Sequence, residues 1–114
     1  YKVIDLNLNA GVCDITDAKN ILLFNSATEG LGGTMHCNAK DYWVVSRQQH
    51  TDTLQFYAYL LDSSGLSNPV ISTFYLDNPW WNQYGFIKFS QDGSVTLLLV
   101  IQYVFLTLTL SPEF

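Results

Sequence analysis

Charged residues are scarce in this sequence, 13% of 114, and basic ones are scarcer still. Five Lys and Arg stand against ten Asp and Glu, a net charge of −5, and the five are scattered at Lys2, Lys19, Lys40, Arg47 and Lys88. A phosphate backbone is held by clustered cations, so nucleic acid is not an expected partner. Cysteine occurs only as Cys13 and Cys37, without a CxxC spacing, which argues against a zinc site. The two are expected as free, buried small hydrophobes, ahead of the alternative of one disulfide in an exported chain. No apolar stripe at helical spacing lasts three turns, which excludes a helical fold. No basic segment followed by an apolar run marks a signal peptide. There is no Gly-rich phosphate loop, no GxSxG elbow and no HExxH, so no catalytic residue, metal or cofactor is assigned.

What the sequence has instead is aromatic and β-branched residues. It is 48% hydrophobic and 15% aromatic, a balance that favours strands, at a length that fits one domain over 1–114. Tyr1 to Asn9 reads as a strand, "AGVCDITDAKN" as a loop, Asn20 to Asn25 as a short apolar strand, and the glycine-rich "SATEGLGGT" as a loop. Tyr42 to Arg47 and Leu54 to Asp62 form a hairpin. "DSSGLSNP" is a turn, and "PVISTFYL" is a third strand with Pro69 at its first position. "DNPWWNQYG" is an aromatic loop, "FIKFS" opens a new strand, and "SQDGS" is an Asp-Gly turn. The fold class is all-β and antiparallel.

The hairpin is apolar in both directions. Tyr42 and Val44 oppose Trp43 and Val45, and Phe56, Ala58 and Leu60 oppose Tyr57, Tyr59 and Leu61. A half-exposed strand would alternate apolar with polar, so both faces are expected to be covered. Tyr42 and Phe86 open comparable strands about 44 residues apart, with roughly four strands per unit, the spacing of a β-propeller blade. Sheets stacked on like sheets would cover both faces of each. The reading is a partial WD40-like propeller of two to three blades, with 36–80 one near-complete blade and 85–114 the start of the next. The alternative is a compact β-sandwich. Closure takes about four to eight blades, so a chain of this length is an arc or a sandwich. Uncovered blade faces of an arc would self-associate.

The ordered stretches "VIDLNLNAG", "AKNILL", "TEGLGG", "HCNAKDYWVVSR", "FYAYLLDSSGLSNPVIS" and "GFIKFSQDGS" resemble the WD40-like β-propeller regions of large secreted proteins of Bacteroidetes. Those proteins often end in a gliding-motility-associated, type IX secretion sorting domain. The resemblance covers most of Val3 to Ser94. It implies a surface scaffold, extracellular or at the cell surface, and carries no catalytic residues. Gln91 stands where the family's "SPDG" turn has proline, and no sorting domain is visible. The chain opens without Met on a strand-like stretch, which suggests a piece of something longer with any export signal upstream.

The tail "VTLLLVIQYVFLTLTLSPEF" departs from a continuing blade, as a premature end, a frameshifted tail or a shortened piece would. From Ser94 to Ser111 it carries no charge and approaches the length of a membrane span. Thr96, Gln102, Thr107 and Thr109 interrupt it, and "FLTLTL" alternates with period two, so strands are expected in preference to a membrane helix.

Candidate sites are few. Trp80, Trp81, Asn82 and Tyr84, with Gln83, form an aromatic and amide cluster able to stack on a sugar or anchor a protein partner, or to cap the core. His36, Cys37 and His50 could be imagined as metal ligands or as nucleophile and base, but spacing places no third acidic partner with them, so they read as one histidine near a blade start and one solvated; for a propeller enzyme, Asp41 and His36 are the nearby candidates, and they look isolated. Asp14, Thr16 and Asp17 lack the calcium-loop pattern and read as a turn. The expected function is non-enzymatic: a binding or scaffold module of an exported surface protein, presenting loops to a protein or glycan. The runner-up is a fragment of a propeller hydrolase or lyase with its catalytic residues outside this chain, and a third is a truncated product without function.

Overall fold

The computed structural model describes residues 1–75, 86–91, 95–99 and 105–109. These residues are mostly strand, arranged as antiparallel sheets, with a single four-residue helical turn at Leu8–Gly11. The main sheet contains β3 (Ala27–Met35), β4 (Tyr42–Gln49), β5 (Thr53–Asp62), β6 (Gly65–Leu66) and β7 (Val70–Tyr75). β3, β4, β5 and β7 form a meander in chain order, with β6 pairing the far end of β5 beside β7. A second sheet contains β8 (Phe86–Phe89), β9 (Val95–Leu99) and β10 (Phe105–Thr109), with β9 central. Near the N-terminus β1 (Ile4–Asp5) pairs with β2 (Asp14–Ile15) in a two-residue ladder.

Register decides which side chains share a face. Trp43 pairs with Leu60, Val45 with Ala58, Arg47 with Phe56 and Gln49 with Leu54, and Leu54 continues to Phe74 on β7. This face is the core. Trp43, Val45, Leu54, Phe56, Ala58 and Ile87 are buried together, with Leu60, Phe74 and Phe89 packed against them. Phe74 meets Phe56 edge-on, ring centres 5.8 Å apart, the arrangement aromatic quadrupoles favour. Arg47 is fully buried on this face.

β8 lies over the core face. Ile87 sits against Gly32 of β3, so close that a Cβ on Gly32 would stand 2.7 Å from Ile87 Cγ2. That contact corrects the reading of "SATEGLGGT" as a loop. Glycine weakens a strand in isolation, yet here its missing side chain lets one sheet approach the other.

The opposite face meets the expectation of cover on both sides only in part: Tyr59 and Gln48 are buried on it, and its margins are exposed. Met35, Tyr42 and Leu61 form one cross-strand row on it, and Leu31, Ser46, Tyr57 and Ile71 another. Leu31, Met35, Tyr42, Leu61 and Ile71 are all exposed, whereas Tyr59 is buried and Val44 half-buried. The segment around Phe24 crosses this face, with Phe24 stacked on Tyr57. The apolar crowding of β4 and β5 therefore has two causes, a core on one side and an aromatic surface on the other.

The N-terminal strand over Tyr1 to Asn9 is also corrected: pairing is confined to Ile4–Asp5. Asp5 Oδ1 accepts the Asn7 N–H at 2.9 Å, and Asn9 and Ala10 adopt left-handed φ of 53° and 55°, so the chain turns where a strand would continue. Asn20 to Asn25 is likewise no strand; its start is tied to the N-terminus by the Ile21 N–H donating to the Tyr1 carbonyl at 3.1 Å. Val95 onward forms the strands expected of the tail, β9 and β10 pairing Val95 with Thr109 and Leu99 with Phe105. Among the described residues no helix is long and apolar enough to cross a membrane.

Candidate functional site

The aromatic loop residues Trp80, Trp81, Asn82, Gln83 and Tyr84 lie outside the described residues. Their flanks do not. Tyr75 closes β7 and Phe86 opens β8, and the two are 83% and 61% exposed. Tyr75 pairs with Thr53, so the chain leaves β7 at the end of the sheet that carries the His50–Asp52 turn.

Beside that exit runs an amide ladder on the exposed face. Gln48 pairs with Gln55, and Gln55 with Thr73. Gln55 Nε2 donates to Thr73 Oγ1 at 3.2 Å, and the Tyr57 hydroxyl donates to Gln48 Oε1 at 2.9 Å. His50 Nε2 lies 3.2 Å from the same Gln48 oxygen, while Gln48 Nε2 donates to the Asn25 carbonyl. Phe24 stacks on Tyr57, ring centres 4.3 Å apart and planes 9° from parallel. Gln48 and Tyr57 thus clamp the Phe24–Asn25 segment onto the sheet. Sequence reasoning missed this group, because no local pattern joins Phe24 to a tyrosine two strands away; the double-sided aromatic content of β5 was the only signal.

His36 and Cys37 sit in the β3–β4 hairpin loop, at the other end of β4 from His50. The intervening eight-residue strand separates the two histidines by more than ~20 Å, so they do not form one site. The loop's chemistry is structural. Asn38 Oδ1 accepts the N–H groups of Lys40 and Asp41, both at 3.0 Å, and Asn38 Nδ2 donates to Asp41 Oδ2. The Asn38 N–H donates to His36 Nδ1 at 3.1 Å, Cys37 Sγ lies 3.5 Å from the same nitrogen, and the His36 ring tilts against Trp43 at 5.7 Å. An acceptor at Nδ1 places the neutral ring's proton on Nε2. His36 and Asp41 are each held by Asn38, which organises a turn.

Cys13 and Cys37 are free, as expected, but both are exposed, which corrects the buried reading: each lies in a turn rather than on a core-facing strand position. Asp14 lies in β2, which corrects its reading as part of a turn, and its Oδ1 accepts the Ile15 N–H; Thr16 Oγ1 accepts the Ala18 N–H just beyond the strand. Among the described residues no group of three or more His, Cys, Asp or Glu converges. The Asp62 carboxyl is held below its ordinary range by the Ser64 hydroxyl and N–H, which both donate to it across the β5–β6 turn. The Tyr59 phenol is pushed up, first by burial and then by neighbouring Tyr57.

No family model, curated protein or solved structure matches this chain.

Proposed function

We propose that the chain is a non-enzymatic binding or scaffold module, part of a WD40-like propeller in an exported cell-surface protein, and that it presents the 76–85 loop to a protein or glycan. The observation that carries the reading is the pair of exposed aromatics, Tyr75 and Phe86, between which the sequence places Trp80, Trp81 and Tyr84. Large rings left in water at the margins of an aromatic segment cost solvation free energy, and a partner's apolar face relieves that cost. Gln55 and Thr73, paired across β5 and β7, add amide and hydroxyl groups beside Tyr75, the mixture a sugar's hydroxyls and apolar ring face call for.

Support for the architectural part comes from the chain-ordered meander β3–β4–β5–β7 and from a following sheet that packs on its face through Ile87. Placement at the cell surface rests on the family resemblance.

The test is a glycan-array and surface-protein binding screen of the unaltered chain beside Trp80→Ala/Trp81→Ala and Tyr75→Ala. The reading expects binding that falls at least tenfold in the double variant and several-fold in Tyr75→Ala. Binding undiminished in the double variant overturns it.

A further inference from the structure

On the main sheet's second face, the chain covers itself with a strap held through Phe24 and Asn25. Phe24 lies on the Tyr57 ring, centres 4.3 Å apart, and the next carbonyl, of Asn25, accepts from Gln48 Nε2. Phe24 is half-buried, whereas Ile21 to Leu23 before it and Asn25 to Ala27 after it are exposed, and residues 16–26 belong to no strand. This closed arrangement leaves two groups unrelieved. Ser26, which turns the strap into β3, has a left-handed φ of 56°, a region that costs a residue with a side chain. Tyr59, two residues from Tyr57 on the same face of β5, is 2% exposed, and its hydroxyl makes no hydrogen bond among the described residues. Around the Tyr57 ring stand uncharged donors and acceptors. Its hydroxyl donates to Gln48 Oε1 at 2.9 Å and lies 3.3 Å from Gln55 Oε1, and His50 Nε2 lies 3.2 Å from the Gln48 oxygen. The rows Leu31–Ser46–Tyr57–Ile71 and Ala27–Gln48–Gln55–Thr73 hold no Asp, Glu, Lys or Arg.

We propose that Tyr57 and Gln48 form a stacking site for a neutral sugar ring, and that the Phe24–Asn25 strap closes this site in cis. A pyranose has an apolar face and a rim of hydroxyls. Its face replaces the Phe24 ring on Tyr57, and a rim hydroxyl replaces the Asn25 carbonyl as acceptor from Gln48 Nε2. A further hydroxyl supplies the Tyr59 phenol with the acceptor it lacks, and release of the strap lets Ser26 leave the left-handed region. An aromatic peptide side chain would only copy Phe24 and leave the Tyr59 hydroxyl unpaired, so the orphan hydroxyl favours a sugar. A charged sugar or a phosphate finds no Lys or Arg in the two rows to hold it. Strap and ligand compete, so apparent affinity is lowered by the fraction of chains that are closed. The site is separate from the 76–85 loop, so its failure and that of the loop reading are told apart.

Nuclear magnetic resonance titration of the 114-residue chain with cellohexaose, maltohexaose and mannohexaose, each to about 10 mM, tests it. Phe24→Ala is expected to bind at least one of them about fivefold or more tighter than the unaltered chain, because the competing ring is gone. Binding is expected to move the Gln48 side-chain amide signal. Tyr57→Ala is expected to abolish it with an unchanged circular dichroism spectrum, and Trp80→Ala/Trp81→Ala to leave it in place. Absence of binding to all three sugars by both the unaltered chain and Phe24→Ala overturns the proposal. So does equal affinity of those two chains, binding that survives Tyr57→Ala, or binding lost in the loop variant. Signal changes in the unaltered chain that spare Gln48, Tyr57 and Tyr59 overturn it without any variant having to fold. A blocked Phe-Asn dipeptide that binds Phe24→Ala where the sugars do not also overturns it, in favour of a peptide.

Discussion

Gly32 and Ile87 occupy one space between them. A Cβ on Gly32 would stand 2.7 Å from Ile87 Cγ2 and 2.9 Å from Phe89 Cε2, so the separation of the two sheets is set where β3 has no side chain. Gly32→Ala is expected to cost about 1–3 kcal/mol, the usual penalty for overpacking a filled core. At Gly33 an added Cβ meets only the Trp43 carbonyl oxygen, at 3.4 Å, and Gly33→Ala is expected to change stability by less than about 1 kcal/mol. Urea denaturation measures both. In an Ile87→Ala background the Gly32→Ala penalty should shrink, since the colliding methyl is gone.

Tyr59 sets the alkaline limit. It is 2% exposed, and its hydroxyl makes no hydrogen bond among the described residues. Burial, then Tyr57, raises its pKa above 10.0. The folded chain therefore holds this proton to higher pH than the unfolded chain does. The resulting stability is intact below pH 10 and is lost as pH climbs through the raised folded value. Tyr59→Phe removes both the buried hydroxyl and the titration. It is expected to gain about 0.5–1.5 kcal/mol at neutral pH and to flatten the alkaline fall in melting temperature relative to the unaltered chain.

Both thiols face solvent. A thiol reagent added to the folded protein is expected to modify Cys13 and Cys37 at rates close to those in denaturant, with no reductant needed. Protection of either thiol until unfolding would contradict its placement in a turn.

Besides the tail strands β9 and β10, the strands that were legible, β4, β5, β7 and β8, are those whose own side chains make or border the core. Trp43, Val45, Leu54, Phe56 and Ile87 announce themselves by size and branching. β3 was illegible because what qualifies it as a strand is an absence: Gly32 gives way to a residue 55 positions later, and no local pattern records that. The Tyr1–Asn9 strand was misread because alternation in "VIDLNLN" outweighed two asparagines that favour turning. Double-sided burial was inferred from hydrophobicity alone, which does not separate the buried middle of the second face, at Tyr59, from its exposed margins at Tyr42 and Leu61. Of the candidate site, Trp80, Trp81, Asn82 and Tyr84 lie outside the described residues, and Tyr75 and Phe86 are the strand ends on either side of them. The Phe24–Tyr57–Gln48 clamp depends on how a loop crosses a sheet, which is a tertiary fact.

The account depends most on one sheet lying over the Trp43–Phe56 face through Ile87. A nuclear Overhauser experiment on protein with labelled isoleucine methyls, run at a concentration where the chain is monomeric, tests this directly. The Ile87 γ2 methyl is expected to show cross-peaks to the Gly32 α-protons. Cross-peaks from that methyl to the Tyr42 ring or the Leu61 methyls, with none to Gly32, would contradict it.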